Sequence, residues 1–168
     1  MKKIDGGVTA AKGFQAAGCA AGIKKEGTMD MAMIFSEVPC HAAGTFTTNV
    51  VKAAPVKWDQ EIVYHQDGAR VVVCNSGIAN ACTGAEGMGY CKETAAAASE
   101  MLKVPETAVL VASTGVIGQQ LPIDRIKGGI AKLALMLEDS PEAGAMAARA
   151  IMTTDTHSKE TAVSLEIG

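Results

Sequence analysis

The chain has 168 residues, 48% of them hydrophobic and 4% aromatic, with a formal net charge of -3. That length suits one domain, residues 1–168, and supports a buried core built from Ala, Val, Ile, Met and Gly. The composition argues against disorder, the negative balance gives no reason to expect nucleic acid, and no apolar run approaches the ~20 residues of a membrane span.

The N-terminus, Met1-Lys-Lys-Ile-Asp-Gly-Gly7, has no apolar segment of the signal-peptide kind, so the expected location is the cytoplasm. Residues 6–25 hold glycines at 6, 7, 13, 18 and 22, too many for a stable isolated helix. A loop followed by an extended segment is expected there. Asp30 to Ser36 reads as a strand, with Met29, Met31, Met33 and Phe35 on one face as core packing. Ala43 to Thr48 is β-branched and reads as a further strand. Lys57-Trp-Asp-Gln-Glu61 is polar and reads as exposed, with Trp58 half-buried.

Arg70 to Cys74 is a compact apolar strand, followed by the polar and glycine-rich Asn75-Ser-Gly-Ile-Ala-Asn80-Ala-Cys82-Thr-Gly84. Met88 to Leu102 predicts a thin, alanine-rich helix that can pack close to a sheet. Ala108-Val-Leu-Val-Ala112 is a second buried strand, and Ser113-Thr-Gly-Val-Ile-Gly118 follows it. Two such patches after strands are where an α/β layer structure tends to build its site. The amide of Gly115 and the hydroxyl of Thr114 are candidate donors to an oxyanion. On the residues alone, a tight turn fits the same stretch.

Pro122-Ile-Asp124 opens a helix with a stripe of Ile126, Ile130, Leu133 and Leu137, and Gly128-Gly129 weakens its first turns. Ser140-Pro-Glu142 starts another, running to about Met152, with an N-cap hydroxyl, proline at the first helical position and a carboxylate. Thr153 to Thr156 breaks it, and the alternation of Thr161 to Ile167 predicts a closing strand before Gly168.

Simple catalytic signatures fail. The cysteines at 19, 40, 74, 82 and 91 form no Cys-x-x-Cys, and the three histidines lack metal spacing, so no metal site is expected. Gly84-Ala-Glu-Gly87-Met-Gly89 does not have the dinucleotide-binding order, and Asn75-Ser76-Gly77 lacks the first glycine of a serine-nucleophile elbow. Cys82 with His41 or His65 remains a candidate nucleophile pair.

Taken together, five stretches carry a specific likeness: Gly6-Gly-Val-Thr-Ala-Ala-Lys-Gly-Phe14; Thr47-Thr-Asn49 with Lys52-Ala-Ala-Pro-Val56; Asn75-Ser-Gly77 with Ala79-Asn-Ala-Cys-Thr-Gly84; Ser113 to Gly118; and Ala148-Arg-Ala-Ile-Met-Thr-Thr-Asp-Thr156. In this order the chain resembles the α-chain part of the ornithine acetyltransferase family, the bifunctional glutamate N-acetyltransferases of arginine biosynthesis. The resemblance implies an α/β fold, a layered sandwich of helices on a central β-sheet, completed by a second (β) chain. It implies a precursor that cleaves itself before a threonine. That threonine, at the N-terminus of the partner chain, carries an acetyl group from N-acetylornithine to glutamate by a ping-pong cycle.

Carried over by motif, Thr114 and Gly115 form the oxyanion hole, and Thr153, with Thr154 beside it, binds substrate. No cofactor is implied. Some members accept acetyl-CoA, which makes it a candidate substrate, and the expected assembly is an α2β2 heterotetramer. The family's Lys-Gly-Ser-Gly-Met segment and its cleavage junction are expected beyond Gly168, together with the nucleophile. Ile78 stands where the family has Asn, and Val50 where it has Arg. The competing reading is a stand-alone binding or regulatory protein that keeps the scaffold without catalysis.

Overall fold

The computed structural model describes residues 1–167; Gly168, with the question of the chain's end, lies outside them. Four strands form the main sheet: β2 (Phe14–Cys19), β3 (Met31–Cys40), β4 (Ala69–Ile78) and β5 (Val109–Val116), in the order β2-β3-β4-β5. β2/β3 and β3/β4 are antiparallel, while β4/β5 is parallel, with α2 (Glu86–Leu102) making the crossover between them. The expected layered α/β architecture is the one observed.

Period-two alternation assigns the two faces. Ala17, Met31, Met33, Val71, Val73 and Val109 point into the larger core. Ala95 and Ala98 of α2 pack against it, as do Ile126, Ile130 and Leu133 of α3 (Ile123–Leu135). The methionine pair and the stripe of α3 are thus core, as the sequence implies. Gly129 does not break α3. A Cβ there would lie 2.3 Å from the Met31 sulfur, so the glycine lets the helix sit closely on the sheet.

The opposite face carries a smaller, alanine-based cluster: Ala16 and Ala32 from the sheet, Ala147 and Ala150 from α4 (Pro141–Ala150). The approach is close enough that a Cβ at Gly18 would lie 2.4 Å from the Met146 carbonyl oxygen. The start of α4 is as expected, with Pro141 in the first turn and the Ser140 hydroxyl accepting from the Ala143 amide.

Four expectations need correction. Residues 54–65 form a helix, α1 (Ala54–His65), rather than an exposed polar stretch, although Trp58 is half-buried as expected. Ala43 to Thr48 is not a strand: the Asn49 amide donates to the Thr47 hydroxyl and the Val51 amide to the Asn49 side chain, so these polar side chains close local turns instead. Both strands of the parallel pair run further than their apolar cores, β4 to Ile78 and β5 to Val116. Finally, only Ala162–Ser164 of the closing segment is a strand, β6, and it pairs with β1 (Lys2–Ile4) in a separate two-stranded sheet.

Helix α1 has a specific task. β5 is an edge strand, and edge strands expose unpaired backbone groups. The Trp58 indole donates to the Val109 carbonyl at 2.9 Å, and the Val111 amide donates to the Asp59 carboxylate at 2.9 Å. Two adjacent side chains of α1 therefore satisfy backbone groups along β5.

Candidate active site

The parallel register aligns the two polar-glycine patches residue for residue: Asn75 with Ser113, Ser76 with Thr114, Gly77 with Gly115, and Ile78 with Val116. They are adjoining ends of one ladder, where ligands commonly bind in parallel α/β sheets. The ladder continues past the strands through the Ala79 amide to the Val116 carbonyl (2.9 Å) and the Gly118 amide to the Ala81 carbonyl (2.8 Å).

Gly115 has φ +136°, and a Cβ on it would lie 2.2 Å from the Gly77 carbonyl carbon. Only glycine fits there. The loop beyond β4 is held by Asn80, which is fully buried at φ 46°. Its side chain donates to the Gly87 carbonyl at 3.0 Å and accepts from the Thr83 hydroxyl at 2.8 Å. The two departures from the family pattern differ in setting. Ile78 is buried against the main core, and its carbonyl accepts from the Asn75 side chain at 2.9 Å, whereas Val50 is 93% exposed.

Alternation places Ser76 and Thr114 on the α4 face of the sheet, and the Ser76 hydroxyl donates to the Ala150 carbonyl at the end of α4. Thr153 and Thr154 follow that helix directly. A cleft of about 460 Å³ results, lined by Lys24, Gly77, Thr114, Gly115, Val116, Thr153 and Thr154. The structure thus brings all four sequence-derived site residues, 114, 115, 153 and 154, to one place, and all four are exposed. Sequence reasoning missed Lys24, which also lines an adjoining cleft with Arg149, Met152 and Thr153. It also missed Asp30, fully buried beneath the Lys24 turn. An acidic residue at the foot of an otherwise apolar run was the available signal for Asp30.

The cysteine alternative does not assemble. Cys82 lines a separate hollow with Ala54 and Lys57, at the start of α1. His65 lies at the other end of that helix, where it neighbours Glu61 and Tyr64. Ala54 and His65 are separated by about 16 Å along the axis. His41 follows Cys40, which pairs with Ala69 at the start of β4, about 30 Å along the strand from Ile78. Among the described residues no group of His, Cys, Asp and Glu is arranged to hold a metal ion, and no helix is long and apolar enough to cross a membrane.

A model of the ArgJ family matches residues 15–168. The arginine biosynthesis bifunctional protein ArgJ of Symbiobacterium thermophilum is 51% identical over 170 residues, covering 100% of this chain and 42% of its own length. The protein of the same name from a Synechococcus strain is 44% identical, over 99% of this chain and 40% of its own. The chain therefore spans about two fifths of the length of the curated relatives it matches. Among solved structures, the bifunctional ArgJ protein of Bacillus halodurans superposes with a TM-score of 0.89 at 42% identity, over 95% of this chain and 82% of that one. Ornithine acetyltransferase of Mycobacterium tuberculosis, crystallised with ornithine, gives 0.86 at 45% identity, over 90% and 81%.

Proposed function

The chain belongs to the ArgJ family, and from that premise we propose that it is the α-chain part of an acetyltransferase that moves an acetyl group from N-acetylornithine to glutamate. The observation that carries this reading is the single cleft shared by Thr114, Gly115, Thr153 and Thr154.

The chemistry divides between two chains. The acetyl carbonyl of N-acetylornithine is attacked by a threonine hydroxyl at the N-terminus of the partner chain. The free α-amino group of that residue, with an ordinary pKa of ~8, takes the proton. The tetrahedral oxyanion is met by the Thr114 hydroxyl and the Gly115 amide, donors fixed side by side at the end of β5 before reaction, which is the arrangement that makes such stabilisation effective. The α-amino group passes that proton to the leaving nitrogen, and collapse releases ornithine and leaves an acetyl-threonine ester. The amino group of glutamate then attacks that ester and regenerates the threonine. Thr153, with Thr154 beside it, holds the substrate. No cofactor takes part, and acetyl-CoA is an alternative acetyl donor to the same threonine.

Support for a second chain comes from the α4 face of the sheet. α4 packs on β2 and β3, while Val72, Leu110 and Ala112, on the same face of β4 and β5, remain only half-buried. The proposed partner is a β-chain from the same precursor, in a cytoplasmic α2β2 assembly.

The test is an initial-rate study of the full-length protein with N-acetylornithine and glutamate varied together, and an intact mass of the purified chains. A ping-pong enzyme gives parallel double-reciprocal lines, and processing gives a second chain that begins with Thr. Intersecting lines, an uncleaved chain or no acetyl-glutamate would contradict the reading.

A further inference from the structure

Lys24 borders the cleft and is tied into the structure at three points. The first lies beneath it. The Asp30 carboxylate, fully buried, accepts the amides of Ala21 (2.7 Å), Ile23 (2.6 Å) and Lys24 (3.0 Å). Charge-assisted bonds of this kind are short and strong, and three of them fix the turn that carries Lys24.

The second point is the stem. A Cβ on Gly77 would lie 3.1 Å from Lys24 Cγ, so the aliphatic chain crosses directly over Gly77, the ladder partner of Gly115. The third is the ammonium, which donates to the Met152 carbonyl and, at 3.3 Å, to the Met29 carbonyl. Met152 immediately precedes Thr153. Burial lowers the pKa of this ammonium, and the negative charge of Asp30 opposes that shift.

We infer that Lys24 is a positioning residue: it ties the Met152 carbonyl, and with it Thr153 and Thr154, to the Gly77–Gly115 floor and so sets the width of the cleft that these residues line. The inference rests on the reading of this cleft as the acyl-transfer site. In that site the substrate is held by the threonines after α4 while its carbonyl oxygen meets the donors on β5. The separation of those two groups decides whether the bound carbonyl reaches the oxyanion hole, and a misplacement of about 1 Å can cost ~10²-fold in rate. A cation at the C-terminal end of a helix is also where the backbone carbonyls favour one.

The test is a double-mutant cycle in the full-length protein, read by kcat and KM and accompanied by melting curves. Lys24→Met keeps the stem over Gly77 and removes the ammonium. Expected is a fall in kcat/KM of about 10–10²-fold. Thr153→Ala, which raises KM on its own, then has less than about a twofold further effect in the Lys24→Met background, because coupled residues are not additive. Lys24→Arg, which retains a cationic donor, recovers part of the loss.

Wild-type kinetics in Lys24→Met, or a Thr153→Ala effect of the same size in both backgrounds, overturns the inference. If Lys24→Met does not fold, Lys24→Gln, which also removes the ammonium, carries the same cycle with the same criteria. A Thr114→Ala control that leaves turnover unchanged shows instead that the reading of the site has failed. A low turnover in that control beside an unperturbed Lys24→Met shows that only the positioning role has.

Discussion

Gly77 and Gly115 stand side by side in the parallel ladder, and a Cβ on Gly115 would lie 2.2 Å from the Gly77 carbonyl carbon. The close approach and the φ of +136° make separate demands for glycine at one position. Gly118 shares the second demand, with φ +80°, but nothing lies within 4 Å of a Cβ there. Gly115→Ala should therefore cost more than Gly118→Ala. About 1 kcal/mol is expected for the strained backbone alone at Gly118, and about 2–3 kcal/mol or more at Gly115, where the clash adds to it. Urea unfolding of the two variants checks this, and equal losses would remove the close-approach argument.

Asp59 supports a prediction about pH. Burial pushes its carboxyl from 3.8 to about 6, and the Val111 amide bond opposes that shift. Because the folded-state pKa is raised, the neutral form favours the fold. That contribution is fully present below pH ~4 and is lost as the pH rises through ~6. Asp59→Asn keeps an oxygen acceptor for Val111 and abolishes the titration. It should be more stable than wild type at pH 7.5 by roughly 1–2 kcal/mol, a discounted figure for a half-buried group, and no more stable at pH 4. A stability difference that does not change between the two pH values would contradict it.

The cysteines should separate by environment. Cys82 is exposed, whereas Cys91 is fully buried and its thiol is pushed up to about 12, by burial first and by Asp59 second, against a bond from Asn80. Iodoacetamide on the native protein should label Cys82 and spare Cys91, as peptide mapping by mass spectrometry would read directly. Cys82→Ala should leave acetyl transfer within about twofold of wild type, the usual range of a surface change. A loss of activity would bring the cysteine-nucleophile reading back.

The sequence was legible where one physical signal dominated. The Ser140 cap, the stripe of α3 and the alternation of β3 each follow from period and propensity alone. α1 was not legible, because its inward positions include Pro55, Trp58, Asp59 and Ile62, and a proline and a carboxylate interrupt the apolar stripe. Its purpose, sealing β5 with an indole and a carboxylate, is a tertiary fact with no local signature. The ends of β4 and β5 were hidden for a similar reason. Asn75-Ser-Gly77 and Ser113-Thr-Gly115 have turn composition, and it takes their mutual register to make them strand. Among the candidate site residues, Thr114 and Gly115 were already candidate donors from their place at a strand's end, whereas Thr153 and Thr154 were reached through motif likeness alone, since Thr153 by itself reads as a helix stop. Lys24 carried no signal, because its place depends on Asp30 six residues on and on Met152 across the fold.

The most direct measurement of the central claim is the steady-state kinetics of Thr114→Ala in the full-length protein, with a melting curve of the same sample. Thr114 is exposed at the end of β5, so its removal should leave the melting temperature close to that of wild type. Loss of one oxyanion donor should lower kcat by ~10²–10³-fold for acetyl transfer from N-acetylornithine to glutamate. Turnover within about threefold of wild type in a folded variant would contradict the assignment of this cleft as the acyl-transfer site.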